Sequence, residues 1–90
     1  MNVVQTATFA RQVKKLRNNQ KTELEETIKK IIKDPIIGTL KKSDLRGVRV
    51  YKFKMIKQLT VLAYEFHKAD DLLILLAIGS HENFYRDLKK

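Results

Sequence analysis

The stretch of sequence that decides the fold is VRVYKFKMIKQLTVLAYEFHKADDLLILLAI, residues 48–78. From residue 48 to residue 54 the side chains alternate between two faces, which is the period of two that a β-strand requires. Residues 59–66 and 72–78 are apolar on nearly both faces, which is typical of central strands covered by helices on one side. The links between these segments, residues 55–58 and 67–71, are too short for parallel crossovers. We therefore expect an antiparallel meander of three strands.

The alternation in the first of these strands assigns its side chains to two faces. One face carries two valines and two lysines, and the other carries an arginine and two aromatic rings. The first set is Val48, Val50, Lys52 and Lys54, and the second is Arg49, Tyr51 and Phe53.

Upstream of the meander, the sequence predicts a short strand at Val3-Val4 and a first helix. The helix is predicted to have Thr6 or Thr8 as its N-cap, since both residue types accept hydrogen bonds from a helix N-terminus. Its apolar residues recur at i, i+4 and i+7, which is a narrow helical stripe. They are Phe9, Val13 and Leu16.

A second helix is predicted to begin at a capping box formed by Thr22 and Glu25, after a polar break at Asn18-Asn19. It is expected to end at Asp34-Pro35, because the residue before a proline is disfavoured in helical geometry. Four apolar residues form its expected buried stripe. They are Leu24, Ile28, Ile31 and Ile32.

A connection, residues 35–47, leads into the meander, and Ser80 is expected to cap a short C-terminal helix over residues 81–88. The predicted order is β-α-α-β-β-β followed by this helix. We expect one α+β domain, residues 1–90, with an antiparallel sheet and two helices packed on one of its faces.

The composition favours a nucleic-acid partner. Nineteen Lys and Arg against ten Asp and Glu give a formal charge of +9, which attracts phosphate backbones. The chain has no cysteine, which excludes disulfides and fits the reducing cytoplasm. We expect no secretory signal and no membrane span, because the longest apolar run, residues 72–78, falls far short of the about 20 residues a spanning helix needs.

The cations near the first strand of the meander are candidate RNA-binding residues. Charges interleaved with rings suit single-stranded nucleic acid, where phosphates meet cations and bases stack on aromatic faces. An equally good interpretation is a solvated edge strand whose lysines discourage aggregation. The residues are Arg46, Arg49, Tyr51, Lys52 and Lys54.

The segment after the last strand is a candidate catalytic segment. If it is helical, His81 and Tyr85 share one face at i, i+4, and Glu82 and Arg86 form a second such pair. An imidazole, a phenol and a guanidinium together can transfer protons beside a phosphate. The alternative is an ordinary exposed histidine, a surface ion pair and a tyrosine that only packs.

The chain resembles the RelE/ParE superfamily of bacterial toxins from type II toxin–antitoxin modules. The resemblance rests on the order of five short motifs that span nearly the whole sequence. They are Phe9-x-x-x-Val13-Lys14-Lys15-Leu16, Asp34-Pro35-Ile36-Ile37-Gly38, Asp44-Leu45-Arg46-Gly47-Val48-Arg49, Val61-Leu62-Ala63-Tyr64, and Ile78-Gly79-Ser80-His81-Glu82-Asn83-Phe84-Tyr85.

The resemblance implies either a ribosome-associated mRNA endoribonuclease that works without a metal or cofactor, or a ParE-like inhibitor of DNA gyrase. For the nuclease, it implies that Lys52 and Lys54 bind phosphate, one of them serving as base. It further implies that His81 is the general acid and that Tyr85 stacks on the nucleobase or positions it. Arg49 or Arg86 is implied to stabilise charge, Arg49 being alternatively structural.

One position departs from the superfamily pattern. Many nuclease members carry an arginine three residues before the tyrosine of the penultimate strand, and this chain has Val61 there. The missing cation favours the gyrase alternative. Under either activity, the resemblance implies a cognate antitoxin whose acidic segment covers the basic surface, with mRNA and the ribosome, or gyrase, as the target.

Overall fold

The computed structural model describes residues 1–42, 47–82 and 84. Two α-helices and five β-strands follow one another along this part of the chain, with a 3-10 turn, Lys68–Asp70, before the last strand. They are β1 (Asn2–Gln5), α1 (Ala7–Lys14), α2 (Asn18–Lys33), β2 (Thr39–Leu40), β3 (Arg49–Met55), β4 (Gln58–His67) and β5 (Leu72–Ser80). The predicted C-terminal helix, residues 81–88, lies mostly outside the described residues. Of its positions, 81, 82 and 84 are described, and these three are helical.

The strands form one sheet in the order β1-β5-β4-β3-β2. The predicted antiparallel meander of β3, β4 and β5 is confirmed by the register. However, β1 pairs with β5 in parallel, so the sheet is mixed and the expectation of an antiparallel sheet is corrected at this edge. Both helices and the first strands of the meander separate β1 from β5, which is ample chain for a parallel crossover. The two-residue strand β2, antiparallel to β3, was not predicted.

The helix starts are set by two side chains. Thr6, rather than Thr8, caps α1: its hydroxyl accepts from the Phe9 N–H at 3.1 Å and donates to the Leu76 carbonyl at 2.8 Å. The start predicted for α2 at Thr22 is wrong, because the helix already begins at Asn18. The Gln20 amide oxygen accepts from the N–H of the N-cap residue Arg17 at 2.7 Å, so this N–H has a hydrogen-bond partner.

Both helices pack on one face of the sheet, as predicted. Of the stripe expected on α2, Leu24 and Ile31 are buried and Ile28 is partly buried. Ile32 is 37% exposed, which corrects its assignment to the core, and Thr27 is buried instead. Residues 24, 27, 28 and 31 follow the i, i+3, i+4, i+7 spacing of one helix face, from which residue 32 is turned away.

The helix-side core contains one buried side chain from α1, two from α2 and the inward side chains of the central strands. They are Phe9, Leu24, Ile31, Met55, Leu62, Tyr64, Leu73, Leu75 and Ile78.

The opposite side of the sheet, called the open face below, has a smaller apolar cluster. It contains Val50, Val61, Ala63, Ala77 and Phe84. The alternation predicted for β3 is confirmed, because Tyr51 and Phe53 pack against the helix-side core and Val50 belongs to the open-face cluster. Lys52 and Lys54 share the open face with Val50 and are exposed.

Candidate functional site

Two lysines stand on β3 at the open face. Lys52 pairs with Val61 and Lys54 with Leu59 on the neighbouring strand. Two residues of a strand span about 7 Å, which is close to the distance between successive phosphates along a nucleic-acid strand. The structure therefore presents two adjacent exposed cations on one face, as the sequence predicted.

His81 lies immediately after β5, at the same end of the sheet as Lys54. Ser80 pairs with Thr60, so the next position along the chain lies beside Leu59, the partner of Lys54. A surface cavity of about 320 Å³ is lined by Gln58, Leu59, Ser80, His81 and Glu82. His81 is distant from the lysines in sequence, but in the sheet only strand β4 separates the end of β5, which His81 follows, from Lys54 on β3.

The apolar cluster of the open face includes Phe84 and Val61. Phe84 is buried and packs in the same cluster as Val61, which has no exposed surface. Gly79 lies beneath this ring, and a Cβ added there would lie 3.9 Å from the Phe84 Cα. The position at which many nuclease relatives have an arginine is therefore part of a small hydrophobic cluster in this chain.

Arg49 lies on the helix side of the sheet, where its register partner on β4 is Tyr64. Its Nη1 donates to the Gly38 carbonyl at 2.9 Å and to the Ile36 carbonyl at 3.4 Å. Its guanidinium therefore holds the segment that precedes β2, and the structure does not bring it together with Lys52 and Lys54.

Tyr64 holds the same segment from within the core. Its hydroxyl donates to the Pro35 carbonyl at 2.7 Å and accepts from the Gly38 N–H at 3.0 Å. Burial raises the pKa of the Tyr64 phenol, although the Gly38 N–H and the Arg49 charge partly oppose this increase. A Cβ on Gly38 would lie 2.8 Å from the Tyr64 Oη, so only glycine fits there without displacement.

Tyr64 falls in a segment that the sequence predicts to be a central strand, but the sequence did not reveal this hydrogen-bonded anchor. The available signal was a tyrosine hydroxyl in an otherwise apolar strand, since a buried hydroxyl needs a partner.

Tyr51 lies on the helix side, where its ring stacks on Phe53 with centroids 6.2 Å apart and planes inclined by 18°. The rings and the lysines of β3 therefore lie on opposite faces of the sheet, as the alternation predicted, so a single nucleic-acid strand on the open face meets the lysines without these rings. Tyr51 and Lys52 do both line an open groove of about 400 Å³ at the β2–β3 edge, together with Lys41. The candidates Arg46, Tyr85 and Arg86 lie outside the described residues.

Two further findings apply to residues 1–42, 47–82 and 84. No three metal-ligating side chains among them are grouped so that they could hold an ion. No helix formed by these residues is long and apolar enough to span a bilayer.

Residues 3–89 match the family model of the ParE-like toxin of type II bacterial toxin–antitoxin systems. The chain therefore belongs to this family and is a toxin of the RelE/ParE superfamily. No curated protein matches the sequence.

Solved toxin structures share the fold at low sequence identity. The isolated E. coli RelE toxin superposes with a TM-score of 0.69 at 15% identity, covering 98% of this chain and 95% of that one. RelE in the intact E. coli RelBE toxin–antitoxin complex superposes with a TM-score of 0.71 at 15% identity, covering 88% of this chain and 94% of that one. A YoeB/ParE toxin from Agrobacterium tumefaciens superposes with a TM-score of 0.70 at 14% identity, covering 90% of this chain and 99% of that one. These structures support the α+β fold of two helices on a five-stranded mixed sheet.

Proposed function

We propose that this toxin is a metal-independent endoribonuclease that cuts mRNA on the ribosome and thereby inhibits translation. The observation that carries the proposal is that Lys52 and Lys54 lie exposed on the open face of β3, while His81 follows β5 at the same end of the sheet as Lys54 and shares a surface cavity with Leu59, the register partner of Lys54. Phosphate-binding cations beside a group able to donate a proton are what cleavage of an RNA backbone requires.

In the proposed reaction the ribose 2′-oxygen attacks the adjacent phosphorus and forms a new P–O bond. The lysine that serves as base, Lys52 or Lys54, accepts the 2′-OH proton, and the other lysine offsets the charge that develops on the phosphorane oxygens. The P–O5′ bond then breaks, and His81 donates a proton to the leaving oxygen. The products are a 2′,3′-cyclic phosphate and a 5′-hydroxyl.

The remaining candidates take supporting roles. Arg49 is bound to two backbone carbonyls on the far face, which supports a structural role for it. We therefore assign further charge stabilisation to Arg86 and base positioning to Tyr85. Arg46 and Tyr51 are proposed to contact RNA outside the reacting phosphate, Tyr51 from the groove at the β2–β3 edge that it shares with Lys52.

A cognate antitoxin is the proposed protein partner. E. coli RelE has been solved in the intact RelBE toxin–antitoxin complex and with a peptide of the antitoxin RelB. The formal charge of +9 suits an acidic antitoxin segment that covers the lysine face, with association that is fast and sensitive to salt. Co-expression should then restore growth and give a complex that co-purifies.

Inhibition of DNA gyrase is the second candidate activity, and the buried Val61 favours it. An apolar cluster occupies the position of an arginine found in many nuclease relatives, so this chain has less charge with which to stabilise a phosphorane. In this alternative the basic surface binds a protein target and cuts nothing.

Brief expression of the toxin in cells separates the two activities. The nuclease proposal expects ribosome-bound mRNA to be cut, with His81→Ala lowering the rate of cutting by roughly 10²–10⁴-fold, the usual contribution of a general acid. His67→Ala is the matched control, because His67 is exposed at the end of β4 and bonds Glu65, away from the proposed site. Whole transcripts with loss of plasmid supercoiling, and growth arrest that persists in His81→Ala, would establish the gyrase alternative instead.

A further inference from the structure

A second, smaller cavity adjoins the proposed cleavage site. It measures about 140 Å³ and lies between the α1–α2 junction, the β3–β4 turn and the end of β5. Gln58 and Ser80 line both this cavity and the one at His81, so the two are neighbours. Pockets for drug-sized ligands begin at about 300 Å³, so this cavity suits a fragment no larger than a ring system.

The lining of this cavity combines apolar walls with hydrogen-bonding groups. Leu16, Met55 and Ile78 supply the apolar surface. Gln12 and Gln20, both half-buried, supply amides from the helix side. A nucleobase has the matching character, with apolar faces and a polar edge.

The orientation of both amides is fixed by backbone donors. The Gln12 amide oxygen accepts from the Ile78 N–H at 2.8 Å, and the Gln20 amide oxygen accepts from the Arg17 N–H at 2.7 Å. Each oxygen thus already accepts one backbone hydrogen bond, and the NH₂ group of each amide is left to donate to a ligand. The Thr60 hydroxyl, which donates to the Gln58 carbonyl at 3.0 Å, offers its oxygen as an acceptor.

We infer that this cavity, called the amide pocket, binds the base of a nucleotide next to the one cleaved at His81, and that it selects uracil. Uracil presents two carbonyl oxygens with an N–H between them, which matches two NH₂ donors and one hydroxyl acceptor. Adenine has no carbonyl, and cytosine and guanine each carry an amino donor in place of one of the two carbonyl acceptors of uracil. The inference rests on the RNA-cleaving function proposed above and adds base selection to it.

Charge around the amide pocket favours a nucleotide over a neutral heterocycle. The part of the chain that contributes Gln12 and Gln20, residues 7–22, has five cations and no acidic residue, while the Glu23 carboxylate that follows it accepts from the Ile56 N–H of the β3–β4 turn. The five cations are Arg11, Lys14, Lys15, Arg17 and Lys21. These cations lie around the cavity and do not line it, so they would attract the phosphate attached to a bound base and leave the base itself to the amides.

The test is a ¹⁵N-HSQC titration with uridine 3′-monophosphate and adenosine 3′-monophosphate, which reports the glutamine NH₂ groups directly. Uridine 3′-monophosphate should shift the NH₂ signals of Gln12 and Gln20 and bind about tenfold tighter than the adenosine nucleotide, the effect of one or two hydrogen bonds. Gln12→Glu and Gln20→Glu keep an oxygen for the backbone N–H but replace the NH₂ donor. Each should lower uridine affinity about tenfold, to the adenosine level.

Gln5→Glu is the matched control, since it makes the same charge change on the exposed strand β1 at the other edge of the sheet. Equal shifts with both nucleotides, no shift at either amide, or equal effects of the three variants would overturn the amide pocket. The nuclease proposal is judged separately by His81→Ala. Uracil selection with uncut mRNA would refute cleavage alone, and His81-dependent cutting with equal nucleotide binding would refute the pocket alone.

Discussion

Removing one hydroxyl from the core by Tyr64→Phe should destabilise the protein by about 2–3 kcal/mol. The Tyr64 hydroxyl makes two hydrogen bonds, to the Pro35 carbonyl at 2.7 Å and from the Gly38 N–H at 3.0 Å. Each contributes about 0.5–1.5 kcal/mol, and Gly38, which is buried, is left with an unpaired N–H. A domain of this size is stable by only about 5–13 kcal/mol, so the loss is a large fraction of the total.

Urea unfolding followed by circular dichroism measures this loss as a lower midpoint with an unchanged slope. Tyr51→Phe is the matched control: it deletes the same atom from a half-buried ring in the stacked pair with Phe53, and it should change the free energy of unfolding by less than about 0.5 kcal/mol. Equal midpoints for the two variants would refute the assignment of Tyr64 as the anchor of the segment before β2.

Four further outcomes follow from the same structure. In urea unfolding, Ile31→Ala should cost about 2–4 kcal/mol and Ile32→Ala under about 1 kcal/mol, because Ile31 is wholly buried and Ile32 is 37% exposed; the reverse order would mean that α2 is rotated. Gly38→Ala should cost about 1–3 kcal/mol, since its Cβ would lie 2.8 Å from the Tyr64 Oη, and less in a Tyr64→Phe background; simple additivity in that double-mutant cycle would contradict the contact. Burial raises the pKa of Tyr64 above 10.0, so the folded state keeps this proton to higher pH than the unfolded state. The free energy of unfolding should therefore fall as pH rises above about 10, and the contribution of Tyr64 to this pH dependence should be missing in Tyr64→Phe. Lys54→Ala should weaken binding of oligouridylate and reduce its salt slope by about 0.7, measured by fluorescence anisotropy; an unchanged slope would remove Lys54 from the RNA-binding surface.

The local elements could be predicted from the sequence because their signals are short-range. The alternation in residues 48–54 assigned both faces of β3 correctly, and the Asp34-Pro35 pair marked the end of α2. The start of α2 was misplaced because two capping patterns lie close together. The Thr22 hydroxyl instead donates to the Asn18 carbonyl within the helix, at 3.1 Å.

The candidate site could be predicted only in its parts. The sequence identified Lys52, Lys54 and His81 by residue type, pattern and family resemblance. It also grouped Arg49 and Tyr51 with the lysines as candidate site residues, although the same alternation places them on the opposite face of β3. Adjacent residues of a strand point to opposite faces, so the structure separates them from the lysines.

What the sequence by itself determined is the family, the two helices, the antiparallel meander and the strong positive charge, all of which are properties of short segments or of the chain as a whole. Only the tertiary structure decided that β1 is parallel to β5, that His81 lies beside the partner strand of Lys54, and that Tyr64 holds Gly38. The physical reason is that these relations depend on strand register and packing between residues far apart in the chain. No local periodicity encodes that register, because it is set when the apolar faces of all the elements are buried together.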